Sequence, residues 1–139
     1  MNSNPLDLPV FPAPRTTPDN QPFWDAAGNG KLLIKRCDAC RKMHFYPRQL
    51  CPFCLSELTT WVEATGRGSI YTLTTLKKWE VDAAIAFVEL DEGPRVLTLV
   101  ADPNPSGLRI GDRVDATFAP AEEGFNVLVF RRAPGGEPF

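Results

Sequence analysis

Residues 37–54 read CDACRKMHFYPRQLCPFC, and they hold all four cysteines of the 139-residue chain. Two residues separate Cys37 from Cys40 and Cys51 from Cys54, and ten residues lie between the pairs. A two-residue gap lets both thiolates of one turn reach the same ion, and two such turns supply the four soft ligands of a tetrahedral site. Disulfides and a redox CxxC are the alternatives for four cysteines. The opening MNSNPLDLPVFPAP has neither a basic n-region nor an apolar h-region. A cytoplasmic setting is therefore expected, where thiols stay reduced. Two CxxC turns flanking one short hairpin then read as a pair of metal knuckles.

Zinc is the expected ion, because it tolerates a sulfur-rich tetrahedron and has no redox chemistry. Iron in a rubredoxin-type centre is the competitor. Such centres usually carry glycine straight after the second cysteine of each pair, where Arg41 and Leu55 stand here. Four protein ligands leave no position for a substrate or an activated water, so the site is expected to staple the fold. Lys31, Lys35, Arg36, Arg41, Lys42 and Arg48 crowd this stretch, with Asp38 alone interspersed. They balance the −2 charge of four thiolates around Zn²⁺, or they meet an acidic partner or phosphates. His44 is the single histidine. Beside Phe45 and Tyr46 it reads as a packing residue, and it is superfluous as a fifth ligand.

Outward from this segment the chain changes character in both directions. Six prolines (Pro5, Pro9, Pro12, Pro14, Pro18 and Pro22) fall in the first 22 residues and exclude a regular helix or central strand there. This arm is either a tail or an extended strap on a partner, with Leu6, Leu8, Val10 and Phe11 as its apolar contacts. A short helix is predicted near Pro22 to Ala27, capped by Asp19 or Asn20 and stopped by Gly28 and Gly30. Phe23 and Trp24 on so short a helix must pack on something, either this chain's core or another subunit.

From Thr59 onward TTWVEA, SIYTLTTLKKW, AAIAFVELD, RVLTLVAD, RVDATFA and FNVLVFRR read as strands, alternating or running apolar with β-branched and aromatic enrichment. Turn signals separate them at Gly66–Gly68, Glu92–Pro94, Pro103–Gly107 and Gly111–Asp112. Five or six short strands with no βαβ alternation predict a small antiparallel barrel. Hydrophobic residues make up 43% of the chain, enough for a core. Fifteen Lys plus Arg against seventeen Asp plus Glu give a net charge of −2, which disfavours non-specific nucleic-acid binding. No apolar run reaches the roughly 20 residues of a membrane span. Nucleotide-binding, Ser-hydrolase and metallohydrolase motifs are absent, and no thiol is left over as a nucleophile.

The stretches PFWDAAGNGKLLIKRCDAC, FYPRQLCPFC, WVEATGRGSIYTLT, FVELDEGPRVLT and LRIGDRVDATF, in that order, resemble the small acyl-CoA-associated proteins with a rubredoxin-like zinc ribbon and a C-terminal OB-fold. The resemblance covers residues 22–133. It implies a mainly β protein: a short N-terminal helix, a ribbon holding zinc through Cys37, Cys40, Cys51 and Cys54, then a five-stranded OB barrel. It also implies a non-catalytic subunit of a thiolase-like acyl-CoA enzyme, either a thiolase or a retro-aldolase. The turn after LKKW is shorter here than the family's usual loop, which puts autonomous CoA binding in doubt.

The expected layout is therefore an arm and helix over residues 1–30, a ribbon over 31–58, a barrel over 59–133 and a loose tail over 134–139. Leu8, Val10, Phe11, Phe23 and Trp24 are the candidate partner contacts. Arg67, Lys77 and Lys78 are candidate contacts for CoA phosphates. Acyl-CoA itself is expected at or near the partner interface, no turnover is expected from this chain alone, and no membrane partner is expected. The alternatives are a partner of an acyl-CoA hydratase and a stand-alone single-strand nucleic-acid module, the latter recognisable by salt-sensitive binding.

Overall fold

The chain's apolar alternation is realised in two sheets that share one core. The structure, a computed structural model, describes residues 10–75, 83–102 and 104–133. Helix α1 spans Gln21–Gly28, and the strands are β1 (Leu33–Cys37), β2 (Met43–His44), β3 (Thr59–Glu63), β4 (Arg67–Thr75), β5 (Ala83–Leu90), β6 (Arg95–Ala101), β7 (Arg113–Pro120) and β8 (Asn126–Arg132).

Pro22 sits in the first turn of α1, where its missing donor costs nothing. Asn20 occupies the N-cap, but its Oδ1 accepts from the Thr17 N–H (2.7 Å) and so fixes the approach to the helix. The helix ends in a Schellman pattern. Gly30 takes a left-handed φ of 74°, its N–H donates to the Ala27 carbonyl (3.0 Å), and the Lys31 N–H donates to the Ala26 carbonyl (2.9 Å). Gly30 is the stop, and Gly28 lies inside the helix.

Strands β2, β1 and β3 form an antiparallel sheet in that order, with Lys35 opposite both His44 and Trp61. The strand at Thr59–Glu63, which the sequence reading assigns to the barrel, therefore belongs to the ribbon. Its alternation suits either sheet, and only the non-local pairing with β1 decides.

The remaining strands close a barrel in the order β4-β5-β6-β8-β7, with β7 returning to β4 through Arg67↔Asp115 and Gly68↔Val114. This is the five-stranded barrel expected of an OB-fold. Gly68 sits where a Cβ would lie 2.5 Å from the Glu89 carbonyl oxygen, so β4 and β5 can approach this closely only with glycine there. Strands β6 and β8 pair in parallel at just Val100↔Phe130 and Ala101↔Arg131, then diverge.

Ile70, Val88, Leu90, Val96, Val100, Val114 and Phe130 fill the barrel. Phe23, Leu32 and Ile34 belong to the same cluster, so the helix and ribbon complete the barrel's core. The Asn126 amide also donates to the Ala27 carbonyl (3.2 Å), linking β8 to α1.

Candidate metal centre

The two cysteine turns are near-copies of one backbone motif. In the first, the Arg41 N–H donates to the Cys37 carbonyl (2.8 Å) and the Cys37 N–H to the Lys42 carbonyl (2.9 Å). In the second, Leu55 N–H donates to the Cys51 carbonyl (2.9 Å) and Cys51 N–H to the Ser56 carbonyl (2.9 Å). The residue after each pair bends into the left-handed region, Arg41 at φ 64° and Leu55 at φ 65°. These are the positions where glycine would be unstrained. Backbone donors reach the sulfurs as well, Cys40 N–H to Cys37 Sγ and Phe53 N–H to Cys51 Sγ, both at 3.4 Å.

The four Sγ atoms lie within 4.8 Å of one another, with Cys37–Cys54 at 3.5 Å and Cys40–Cys51 at 3.7 Å. Ideal tetrahedral zinc with Zn–S bonds of about 2.3 Å requires S···S separations of about 3.8 Å. The donor set and its size fit one zinc ion. The Cys40 N–H draws the Cys37 thiol down to about 6, against burial. At Cys54 the Ser56 N–H also pulls downward, but the neighbouring Cys37 thiol and burial prevail and push it up to about 12. Four adjacent sulfurs cannot all ionise unaided, and a bound cation removes that obstacle. The ribbon is thus a structural zinc site with no open coordination position.

His44 is buried beside this centre but outside the sulfur cluster. Neither ring nitrogen has a well-formed hydrogen bond. Burial and the Lys35 charge hold its pKa below the usual value, outweighing the Arg48 backbone contact that favours the cation. Of the six cations, Lys35 donates to Thr59 Oγ1 (3.1 Å) and lies 4.7 Å from the Trp61 ring, and Arg36 pairs with Asp38 (3.4 Å). Among the described residues Arg41, Lys42 and Arg48 make no ion pair.

The proposed partner contacts divide. Phe23 is 2% exposed, packed with Trp24, Phe45 and Tyr46, and cannot meet another subunit. Trp24 is half-buried and edge-on to Phe125, with part of its ring left at the surface. The helix packs against β1 and β8, which brings Phe23 into the shared core cluster with Trp24 against it. Phe11 bridges to Ala121, and its carbonyl accepts from the Glu122 N–H (2.9 Å). Val10 is 55% exposed. Leu8 lies outside the described residues, as do Lys77, Lys78 and the 134–139 tail. Arg67 is exposed, but it stands opposite Asp115 and, after Arg113, helps hold the Asp91 carboxyl low.

Two surfaces escaped the sequence reading. Where β6 and β8 diverge, an apolar groove of about 320 Å³ opens between Leu97, Leu99, Val127 and Val129, with Phe11 and Ile85 at its edge. The apolar runs AAIAFV and RVLTLV signalled it, because residues on both faces of those strands are apolar. The second is the outer surface of the second knuckle, where Leu50, Phe53, Leu55 and Leu58 are exposed. A loop this short has nowhere to bury them.

Residues 24–59 match a family model described as the ChsH2 rubredoxin-like zinc ribbon domain, and residues 61–119 match the ChsH2 C-terminal OB-fold domain. The chain is 32% identical over 127 residues to a probable enoyl-CoA hydratase alpha subunit of Thermomonospora curvata, a match covering 88% of this chain and 40% of that protein. It thus spans less than half the length of that relative. It is 32% identical over 99 residues to a DUF35 domain-containing scaffold protein of Methanocaldococcus jannaschii, covering 66% of this chain and 70% of the relative. Among solved structures it resembles a chain of the Ltp2-ChsH2(DUF35) aldolase with a TM-score of 0.72 and 31% identity, over 86% of this chain and 98% of that one. No helix among the described residues is long and apolar enough to cross a membrane.

Proposed function

This chain belongs to the DUF35 family of zinc-ribbon and OB-fold proteins, and from that premise we propose that it is the non-catalytic subunit of a thiolase-like acyl-CoA enzyme. It assembles with a catalytic chain, either a thiolase or a retro-aldolase, and supports that chain's stability or its hold on acyl-CoA. One observation carries the reading: the likeness to the aldolase structure runs through both ribbon and barrel and takes in almost all of the matched chain. The closed sulfur site agrees with it, since four protein ligands leave zinc no catalytic position. In this reading Cys37, Cys40, Cys51 and Cys54 hold the zinc, Leu8 and Val10 of the arm touch the catalytic subunit, and acyl-CoA lies near the interface. Arg67, Lys77 and Lys78 are the cations to test for its phosphates. No disulfide joins any of the four cysteines, which suits a reducing cytoplasm.

A second reading, partnership with an acyl-CoA hydratase, draws on the name of the Thermomonospora relative. The test is purification of the native chain with identification of any stoichiometric partner, followed by turnover assays of each chain alone and mixed. A thiolase-like partner whose activity rises on mixing is expected. A hydratase partner would favour the second reading. Turnover of an acyl-CoA by this chain alone, or salt-sensitive single-strand binding with no protein partner, would overturn both.

A further inference from the structure

The two knuckles share one backbone and one task, so each is a control for the other. The first carries Asp38, Ala39, Arg41 and Lys42 around its cysteines, a surface suited to water. The second carries Pro52, Phe53, Leu55 and Ser56 at the corresponding positions, with Leu50 before it and Leu58 after it. Leu50, Phe53, Leu55 and Leu58 are 42, 58, 72 and 65% exposed. Zinc ligation requires none of them. Leu55 is the sharpest case, because a branched side chain occupies a left-handed position (φ 65°) that glycine fills without strain, and it is also the most exposed of the four. Arg41 holds the same bend at the polar knuckle, so the strain belongs to the motif, and the cluster of exposed apolar side chains is what sets the second knuckle apart.

What faces this knob is constrained by charge. The Lys42 ammonium lies 5.0 Å from the Phe53 ring, Arg48 is two residues from Leu50, and both are exposed and without ion pairs among the described residues. We propose that the second zinc knuckle is a docking knob that inserts Phe53 and Leu55 into an apolar socket on the catalytic subunit, with carboxylates on the socket's rim facing Lys42 and Arg48. Apolar anchors inside a charged rim are the usual anatomy of a protein interface, and unpaired rim cations speed association with an acidic surface. The proposal rests on the subunit reading above and names the surface it uses.

Leu55→Gly separates docking from folding because the two effects run in opposite directions. Removing the left-handed strain keeps the melting temperature at or above that of the wild type, with one zinc per chain retained. Removing the anchor weakens assembly with the copurifying thiolase-like subunit by tenfold or more. Arg41→Gly relieves the same strain at the polar knuckle and leaves the dissociation constant within twofold. Lys42→Glu slows association about fivefold at low salt, and less at high salt. Benzoylphenylalanine placed at Phe53 crosslinks to the catalytic subunit on illumination of the complex. If the wild type assembles and Leu55→Gly assembles equally well, or the Phe53 probe gives no crosslink, the knob is refuted while the subunit reading stands. If Arg41→Gly weakens assembly as much as Leu55→Gly, the effect belongs to the ribbon at large and the knob is likewise refuted. If the wild type assembles with no thiolase-like chain, the subunit reading falls and takes the knob with it.

Discussion

Around the cysteines the most deeply buried side chains are Cys37 and Cys51 themselves, with Ile34 on the barrel side of the sheet, whereas in the barrel Ile70, Val88, Leu90, Val96, Val100, Val114 and Phe130 interlock around a closed ring of strands. One unit is organised by a point, the other by a volume. A ribbon of this kind is stable only when its thiolates have an ion to share, because its few apolar side chains offset little chain entropy. The barrel's stability is spread over many contacts, so no single one decides it. Yet Phe23, Leu32 and Ile34 join the barrel's cluster, which couples the two regimes.

The largest effect is expected at the point. Cys51→Ser, or removal of zinc by a chelator, withdraws a binding free energy of about 10 kcal/mol or more that structural zinc contributes to folding. Metal analysis should show lost zinc, and the ribbon should unfold into aggregating protein. Finding iron with a visible thiolate charge-transfer band instead would contradict the zinc assignment. Next is Phe130→Ala, fully buried in the barrel, which should cost about 3–5 kcal/mol by urea denaturation while the folded fraction keeps its zinc. A similar loss that also emptied the metal site would show that ribbon and barrel are one cooperative unit.

Phe23→Ala tests the junction directly. It should cost about 3 kcal/mol, somewhat less than Phe130→Ala, because part of the space can be refilled by Trp24, Phe45 and Tyr46. Hydrogen exchange should speed up on both sides, at Ile34 and at Val100. Faster exchange on the ribbon side alone would mean that the shared cluster does not couple the units.

What could be read in advance follows the same division. The sulfur site was legible because its information is local: two gaps of two residues and a closed count of cysteines. Helix α1 was legible from Pro22 and Gly30 for the same reason. The barrel was legible from alternation and turn residues, though the sheet membership of β3 was not, since Thr59–Glu63 alternates in the same way whichever neighbour it takes. Nor was the burial of Phe23, which depends on what α1 covers. The left-handed bends at Arg41 and Leu55 were hidden too, because the knuckle's hydrogen bonds impose them on residues that do not prefer them.

The smallest expected effect separates the two regimes by pH. The buried His44 is held neutral, by burial first and the Lys35 charge second, so its folded pKa lies below the unfolded value of about 6.5. The unfolded chain therefore binds the extra proton. The neutral form's contribution is fully present above about pH 6.5 and is lost as pH falls from there through the folded pKa, with a slope of at most about 1.4 kcal/mol per pH unit for one proton. Thiolate protonation weakens zinc binding in the same direction, so zinc content must be followed alongside stability. The discriminating variant is His44→Phe, since neither imidazole nitrogen has a well-formed hydrogen bond to lose. Between pH 7 and the pH at which zinc departs, wild-type urea stability should decline more steeply than the variant's. Parallel declines would assign the whole acid sensitivity to the four sulfurs and leave His44 as packing alone.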